Sequence, residues 1–377
     1  MWLDIGGAAT VAVSAEAEPA LARSISRAFA PYLPRFEPAS TVSVSIQPSS
    51  DAPTFQDIEN AAGDGLVTAY DGERAYLLRG RHSCVVPDPL REAPAVFAYT
   101  PGFPIHELVR SYVRPALALA ALRREAVVVH ASAVSINGRA VLIGGWSESG
   151  KTEIALALAE AGAAFLSDKW TIVRADGSVC PFPASVGVRR WVLPYLPTLQ
   201  AGLPRAAKAQ LVGAAAVSFA SRPFQRSFRN ALLREAGSRA AQLTAVADRA
   251  ALSVDQVRAA YGTVGDVTRP VPLGLVVLLS TVEPGTPLAA APADPGVVAR
   301  RLAQAAAFER RAYFSVTERV RYGGASNERI DGPTVTSIEE SVLRARLADA
   351  HLLQVRTPFP ADPRRIVERI FRELEGR

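Results

Sequence analysis

Eight consecutive residues constrain this chain more than anything else in it. Gly145, Trp146, Ser147, Glu148, Ser149, Gly150, Lys151 and Thr152 satisfy the pattern G-x-x-x-x-G-K-[ST] in full. A β-rich run at 139–143 precedes them, and 153–160 reads as a helix ended by Gly162. Glycines let such a loop curl until its amide hydrogens converge on an anion, and the helix that follows adds the positive end of its dipole. Lys151 is then the charge for β and γ phosphates, and Thr152 the hydroxyl for a magnesium ion. The expected ligand is ATP with Mg²⁺, on an α/β core.

Composition sharpens that reading. Of 42 basic residues only three are lysines, Lys151, Lys169 and Lys208. A chain so biased toward arginine keeps lysine where a compact ammonium charge is needed, or by accident. Lys169 follows Asp168, which stands just beyond a strand predicted at 164–166. A carboxylate at a strand end near the loop can ligate magnesium or take a proton from an attacking hydroxyl. Lys169 there adds positive charge near the transferring phosphoryl group or is a surface lysine.

Around this centre the chain divides into a small α+β domain, 1–104, and a larger domain, 105–377. The first carries a helix over 18–30 and short alternating runs at 41–46 and 75–78. His82, and His106 just past its end, read as structural. A helix over 107–124, kinked at Pro115, leads into the second domain. Runs at 126–136 and 139–143 flank Asn137-Gly138, a hairpin signal; 171–174 and 178–181 flank Asp176-Gly177. From about 196 to 267 the pattern is helical, rich in Ala and Arg, without good strands, and reads as an insertion. Its Arg222, Arg226 and Arg229 either cover the acceptor or form a solvated face. The apolar run 273–280 suits a strand buried on both faces. Helices follow over 294–313, over 337–351 with Ser337 and Glu340 as a capping box, and over 363–375 behind Asp362.

Charge and hydropathy exclude several classes. The net charge of +6 is scattered among acids, which argues against a nucleic-acid stripe. No stretch approaches the apolar length of a membrane span, Asp4 interrupts any secretory signal, and Cys84 and Cys180 have no metal or disulfide spacing. The expectation is a cytoplasmic chain with no membrane and no nucleic-acid partner.

His130-Ala-Ser-Ala-Val, the Asn-Gly hairpin, the loop, Gly162 and Leu166-Ser-Asp168 together resemble the core of the HPr kinase/phosphorylase superfamily, and more narrowly its bacterial HPr-kinase-related members. The likeness covers 128–183 and extends more weakly to 273–280. It implies a P-loop core of the HPr-kinase C-terminal type beside a small α+β domain, and homo-oligomeric assembly. It also implies transfer of the γ-phosphate of ATP to a hydroxyl of a peptide, protein or small molecule. Carried over by position, Lys151 serves the phosphates, and Thr152 and Asp168 the metal. Asp168 is also the base, and His130 tunes that carboxylate or touches the γ-phosphate. The family's second acid is replaced here by Lys169, and its glycine-rich signature and downstream arginine are not recognisable. Gly187-Val-Arg189-Arg190 is a candidate anion-binding segment; its arginines hold phosphate or an acidic acceptor, or are solvated. Two rivals remain: an ATP-binding regulatory or assembly protein without transfer, and an enzyme of related fold acting on a small carboxylic acid.

Overall fold

The computed structural model describes residues 1–36, 41–50, 57–59, 66–71, 73–211, 248–322 and 331–375. The protein is mixed α/β, with two large mixed sheets and one two-stranded ribbon among the described residues. The first sheet comprises β1 (Trp2–Ile5), β2 (Ala9–Val13), β3 (Val44–Pro48), β4 (Asp57–Glu59), β5 (Val67–Tyr70), β6 (Ala75–Arg79), β7 (His82–Val86) and β8 (Ala95–Tyr99). Their order is β1-β2-β3-β8-β7-β6-β5-β4. The β2–β3 and β3–β8 pairs are parallel and the others antiparallel. Helix α1 (Pro19–Ala28) provides the crossover before β3 and turns Leu21 and Ile25 inward.

Residues 105–124 are helical throughout but change pitch three times. α2 (Ile105–Leu108) passes into a π turn, Val109–Val113, then α3 (Arg114–Ala121), then a 3-10 turn, Leu122–Arg124. The irregularity expected at Pro115 falls in the turn before it, where the missing N–H loosens the ladder. Every residue from Pro115 to Ala121 is buried. α3 lies against β2 and β3 on one side and the second sheet on the other, so it is apolar all round because it is covered all round. The hydrophobic core of the first sheet also takes in Tyr313, Phe314, Val316 and Val320 from far along the chain.

The second sheet holds β9 (Val127–Val129), β10 (Ala131–Ile136), β11 (Arg139–Gly145), β12 (Ala164–Ser167), β13 (Thr171–Val173) and β14 (Ser178–Pro181), together with three strands from later in the chain. β15 (Val186–Arg189) and β16 (Arg249–Leu252) form the separate antiparallel ribbon. β10 and β11 pair through a two-residue turn, Ile136 facing Arg139, with Asn137 at φ 51 and Gly138 at φ 74. Two positive φ values in sequence are what the Asn-Gly signal supplies. β17 (Val271–Thr281) runs parallel to β11 on one side and to β19 (His351–Thr357) on the other. Leu275 to Leu279 is accordingly buried throughout. β18 (Ala289–Pro292) closes that edge against β19.

Three helical expectations need correction. The helix expected over 337–351 ends at Arg346, and its last expected residue, His351, instead opens the strand β19. That helix, α9 (Gly332–Arg346), starts earlier: the Asp331 carboxylate accepts the Thr334 N–H at 2.8 Å, and Pro333 sits in the first turn. Ser337 is therefore mid-helix, its hydroxyl on the Pro333 carbonyl, and caps nothing. The helix expected over 294–313 divides at Arg310 into α7 (Pro295–Glu309) and α8 (Arg311–Tyr322). Arg310 is turned inward to a buried ion pair with Glu339 at 2.5 Å. The stretch 196–267, read as wholly helical, contains β16 between α5 (Pro197–Gly202) and α6 (Val254–Ala260). Arg222, Arg226 and Arg229 lie outside the described residues. The last helix, α10 (Pro363–Glu375), begins as expected, with Asp362 accepting the Arg364 N–H at 3.0 Å.

Candidate functional site

The 145–152 segment links the end of β11 to the start of α4 (Lys151–Glu160). Gly150, the residue before the helix, has φ 92, and a Cβ there would stand 3.1 Å from the Phe359 ring. The positive φ requires glycine, and a Cβ would also press on the Phe359 ring. The first amides of α4 have no intrahelical acceptor, so the loop faces the positive end of the helix. Lys151 reaches back across the loop, donating from Nζ to the carbonyls of Gly145 (3.0 Å) and Trp146 (2.7 Å). Burial lowers its pKa to about 8, against the opposing pull of Asp168, Glu309 and Glu153. Trp146, Ser147 and Glu148 are exposed, whereas Ser149 is buried with an unpartnered Oγ.

Asp168, 1% exposed, is the hub. Its Oδ1 accepts the Thr152 hydroxyl at 2.7 Å and the Ser132 hydroxyl at 2.7 Å, and its Oδ2 accepts the Gly187 N–H at 3.3 Å. The carboxylate thus joins the first turn of α4, β10 and β15. β12, which delivers Asp168, pairs with β10 through Ala133 and Ser167, and this places Ser132 opposite the carboxylate. Ser132 is a residue that the sequence reading passed over. The period of two along a strand was its signal, because His130 and Ser132 share a face.

His130 lies in the same cavity but makes no hydrogen bond to Asp168. Its Nδ1 is buried and unpartnered, and its ring meets the edge of Trp170 at 5.5 Å between centroids. Burial, with Lys151 and Lys169 nearby, pushes its pKa down to about 3. The imidazole is neutral, so the 3.9 Å approach of Glu309 to Nε2 is not an ion pair.

Lys169 adopts φ 62, and the Trp170 N–H bonds the Asp168 carbonyl at 2.7 Å across it. This tight turn is uncommon for a residue with a side chain, and it sends the Lys169 ammonium into the cavity that Asp168 faces. Burial lowers the Lys169 pKa, followed by repulsion from Arg249.

The two candidate arginines separate. Arg189 lines the cavity, reaching Glu148 at 3.2 Å and Glu153 at 3.7 Å. Arg190 lies outside the cavity lining, paired with Asp248 at 2.9 Å, because neighbouring residues at a strand end point opposite ways. A cation that sequence reasoning missed takes its place. Arg249 lies across Gly187 so closely that a Cβ at Gly187 would be 1.9 Å from its Nε, and that Nε is buried and unpartnered. Only the β15–β16 pairing brings it there, and its surroundings read as helical.

His130, the segment 147–152, Asp168, Lys169, Arg189 and Arg249 line one cavity of about 1170 Å³. Its other wall is made by α1 and the 105–124 rod. Among the described residues no cluster of three His, Cys, Asp or Glu could hold a metal by itself, and no helix is long and apolar enough to cross a membrane. No family model matches the sequence, and no curated protein matches it.

Proposed function

We propose that the protein is a hydroxyl kinase of HPr-kinase type, which binds ATP with Mg²⁺ at the 145–152 loop and transfers the γ-phosphate to an acceptor hydroxyl. The observation that carries this reading is the Thr152–Asp168 contact, which puts a carboxylate only 1% exposed against the first turn of the loop's helix. Magnesium commonly takes one or two carboxylates plus substrate phosphates. The Thr152 hydroxyl and Asp168 fit that donor set, and the ion would supply charge neutralisation on the phosphates. Lys151 and the loop amides hold the phosphates and stabilise charge as it shifts to the leaving oxygen. The acceptor oxygen forms its bond to the γ-phosphorus, the bond to the β–γ bridging oxygen breaks, ADP leaves, and the acceptor proton passes to Asp168. Neutral His130 contributes shape and a hydrogen-bonding nitrogen rather than charge.

A γ-labelled ATP transfer assay against cell extract tests this. Asp168→Asn is expected to retain nucleotide and lose transfer by about 10²- to 10⁴-fold; undiminished transfer removes Asp168 from the base role. A second reading, nucleotide binding without transfer, draws on Lys169 standing where the resemblance places a second acid. It predicts ATP binding with no label transferred and no acceptor-stimulated ADP.

A further inference from the structure

The far wall of the cavity differs in charge from the loop side. Four carboxylates face the cavity, Glu148, Glu153, Asp168 and Glu309, and all belong to the second sheet and its helices. The wall built from residues 24–118 offers Arg27, Arg110 and Arg114 and no acid. Arg110 and Arg114 are four apart on one helical rod and so share a face. Arg114 donates to the Ala28 carbonyl at 2.7 Å, next to Arg27 in the chain. None of the three has an ion-pair partner among the described residues. Arg114 is half-buried with an unpartnered Nε, and its pKa is lowered by burial and then by Arg110. Arg114 and Lys169 line the same cavity. Cations without an ion-pair partner among the described residues therefore line the cavity from α1 to Lys169, the residue after Asp168.

Like charges gathered in a half-enclosed space repel, and the cost is offset only by an anion. The planar guanidinium fork is the side chain best matched to carboxylate or phosphate oxygens. Size agrees, because about 1170 Å³ exceeds the roughly 300–1,000 Å³ of a one-ligand pocket. We propose that the acceptor is itself an anion, a hydroxyl compound carrying its own phosphate or carboxylate, which Arg27, Arg110 and Arg114 hold across the cavity from the loop. The assignment rests on the kinase reading for the word acceptor, but the anion site stands or falls on its own. Lys169 and Arg249, in the same lining, extend the positive charge toward Asp168.

Because a phosphate loop binds phosphate unaided, the test uses the Lys151→Ala protein to remove that site. Calorimetric titration with inorganic phosphate, and separately with acetate, is expected to show binding that weakens with added salt. Adding Arg27→Gln and Arg110→Gln, both on exposed side chains, is expected to weaken it at least tenfold. A response to phosphate alone assigns a phosphate ester, and a response to both admits a carboxylate. Loss of all anion binding on Lys151→Ala alone, or unchanged binding after the two Gln substitutions, overturns the proposal. Titration of wild-type protein with Mg·ATP is the separate control: its failure removes the kinase reading and leaves the anion measurement intact.

Discussion

The Thr152 hydroxyl donates to Asp168 Oδ1 at 2.7 Å, so the helix that begins at the loop and the strand that ends at the acid are joined through one hydrogen bond. The same oxygen takes Ser132. A metal that drew on Thr152 and Asp168 would find both groups already converged, with little left to reorganise on binding.

Thr152→Val keeps the shape of the side chain and removes the hydroxyl. A hydrogen bond to a charged group contributes about 1.5–3 kcal/mol, so the unfolding free energy is expected to fall by that order while Thr152→Ser restores it. Urea titration reads the stability. Mg²⁺-dependent ATP affinity should fall in Thr152→Val and recover in Thr152→Ser; equal affinity in the two variants would separate Thr152 from the metal.

Lys151 sets a pH limit. Its buried ammonium has a pKa of about 8, against a usual value near 10.4. Above that pH the free protein carries a neutral amine on the loop and loses its charge for the phosphates. The kcat/KM for ATP is expected to fall about tenfold per pH unit once pH exceeds about 8. A profile flat to pH 10 would show that the ammonium stays charged in its buried position.

Much of this arrangement was legible in the residues. Asn137-Gly138, the apolar run of β17 and the loop between β11 and α4 each declare themselves locally, through backbone conformation or continuous burial. What escaped was set by distant pairing. β19, of which only His351 fell in an expected element, is fixed by its pairing with β17, and Arg249 has no meaning until β16 lies against β15. Ser132 and Asp168 are 36 residues apart, and only the β10–β12 pairing makes them partners. Arg189 and Arg190 looked equivalent because a sequence does not state which way a strand end faces.

His130 predicts an acid-side loss of stability. Its folded pKa is about 3, and an unfolded imidazole titrates near 6.5. Between those values the unfolded chain binds a proton that the folded chain refuses, so stability declines as pH falls below about 6.5. From pH 6.5 to 5 the decline from this group is about 1.6 kcal/mol. His130→Asn, measured by urea unfolding at both pH values, is expected to lack that increment. An identical slope in the variant would mean that the buried imidazole accepts its proton.

The turn at Lys169 sets stability against function. A side chain at φ 62 costs on the order of 1 kcal/mol relative to glycine, and the buried ammonium adds a desolvation cost. Lys169→Gly removes both, so its unfolding free energy is expected to rise by at least about 1 kcal/mol. Lys169→Ala removes the charge and keeps the Cβ, and should gain less than Lys169→Gly. If the residue is retained to bring an anionic acceptor to Asp168, both variants should lose transfer with a raised acceptor KM and an unchanged KM for ATP. A Gly variant that is more stable and equally active would show the strained turn to be incidental and would take the Lys169 ammonium out of acceptor binding.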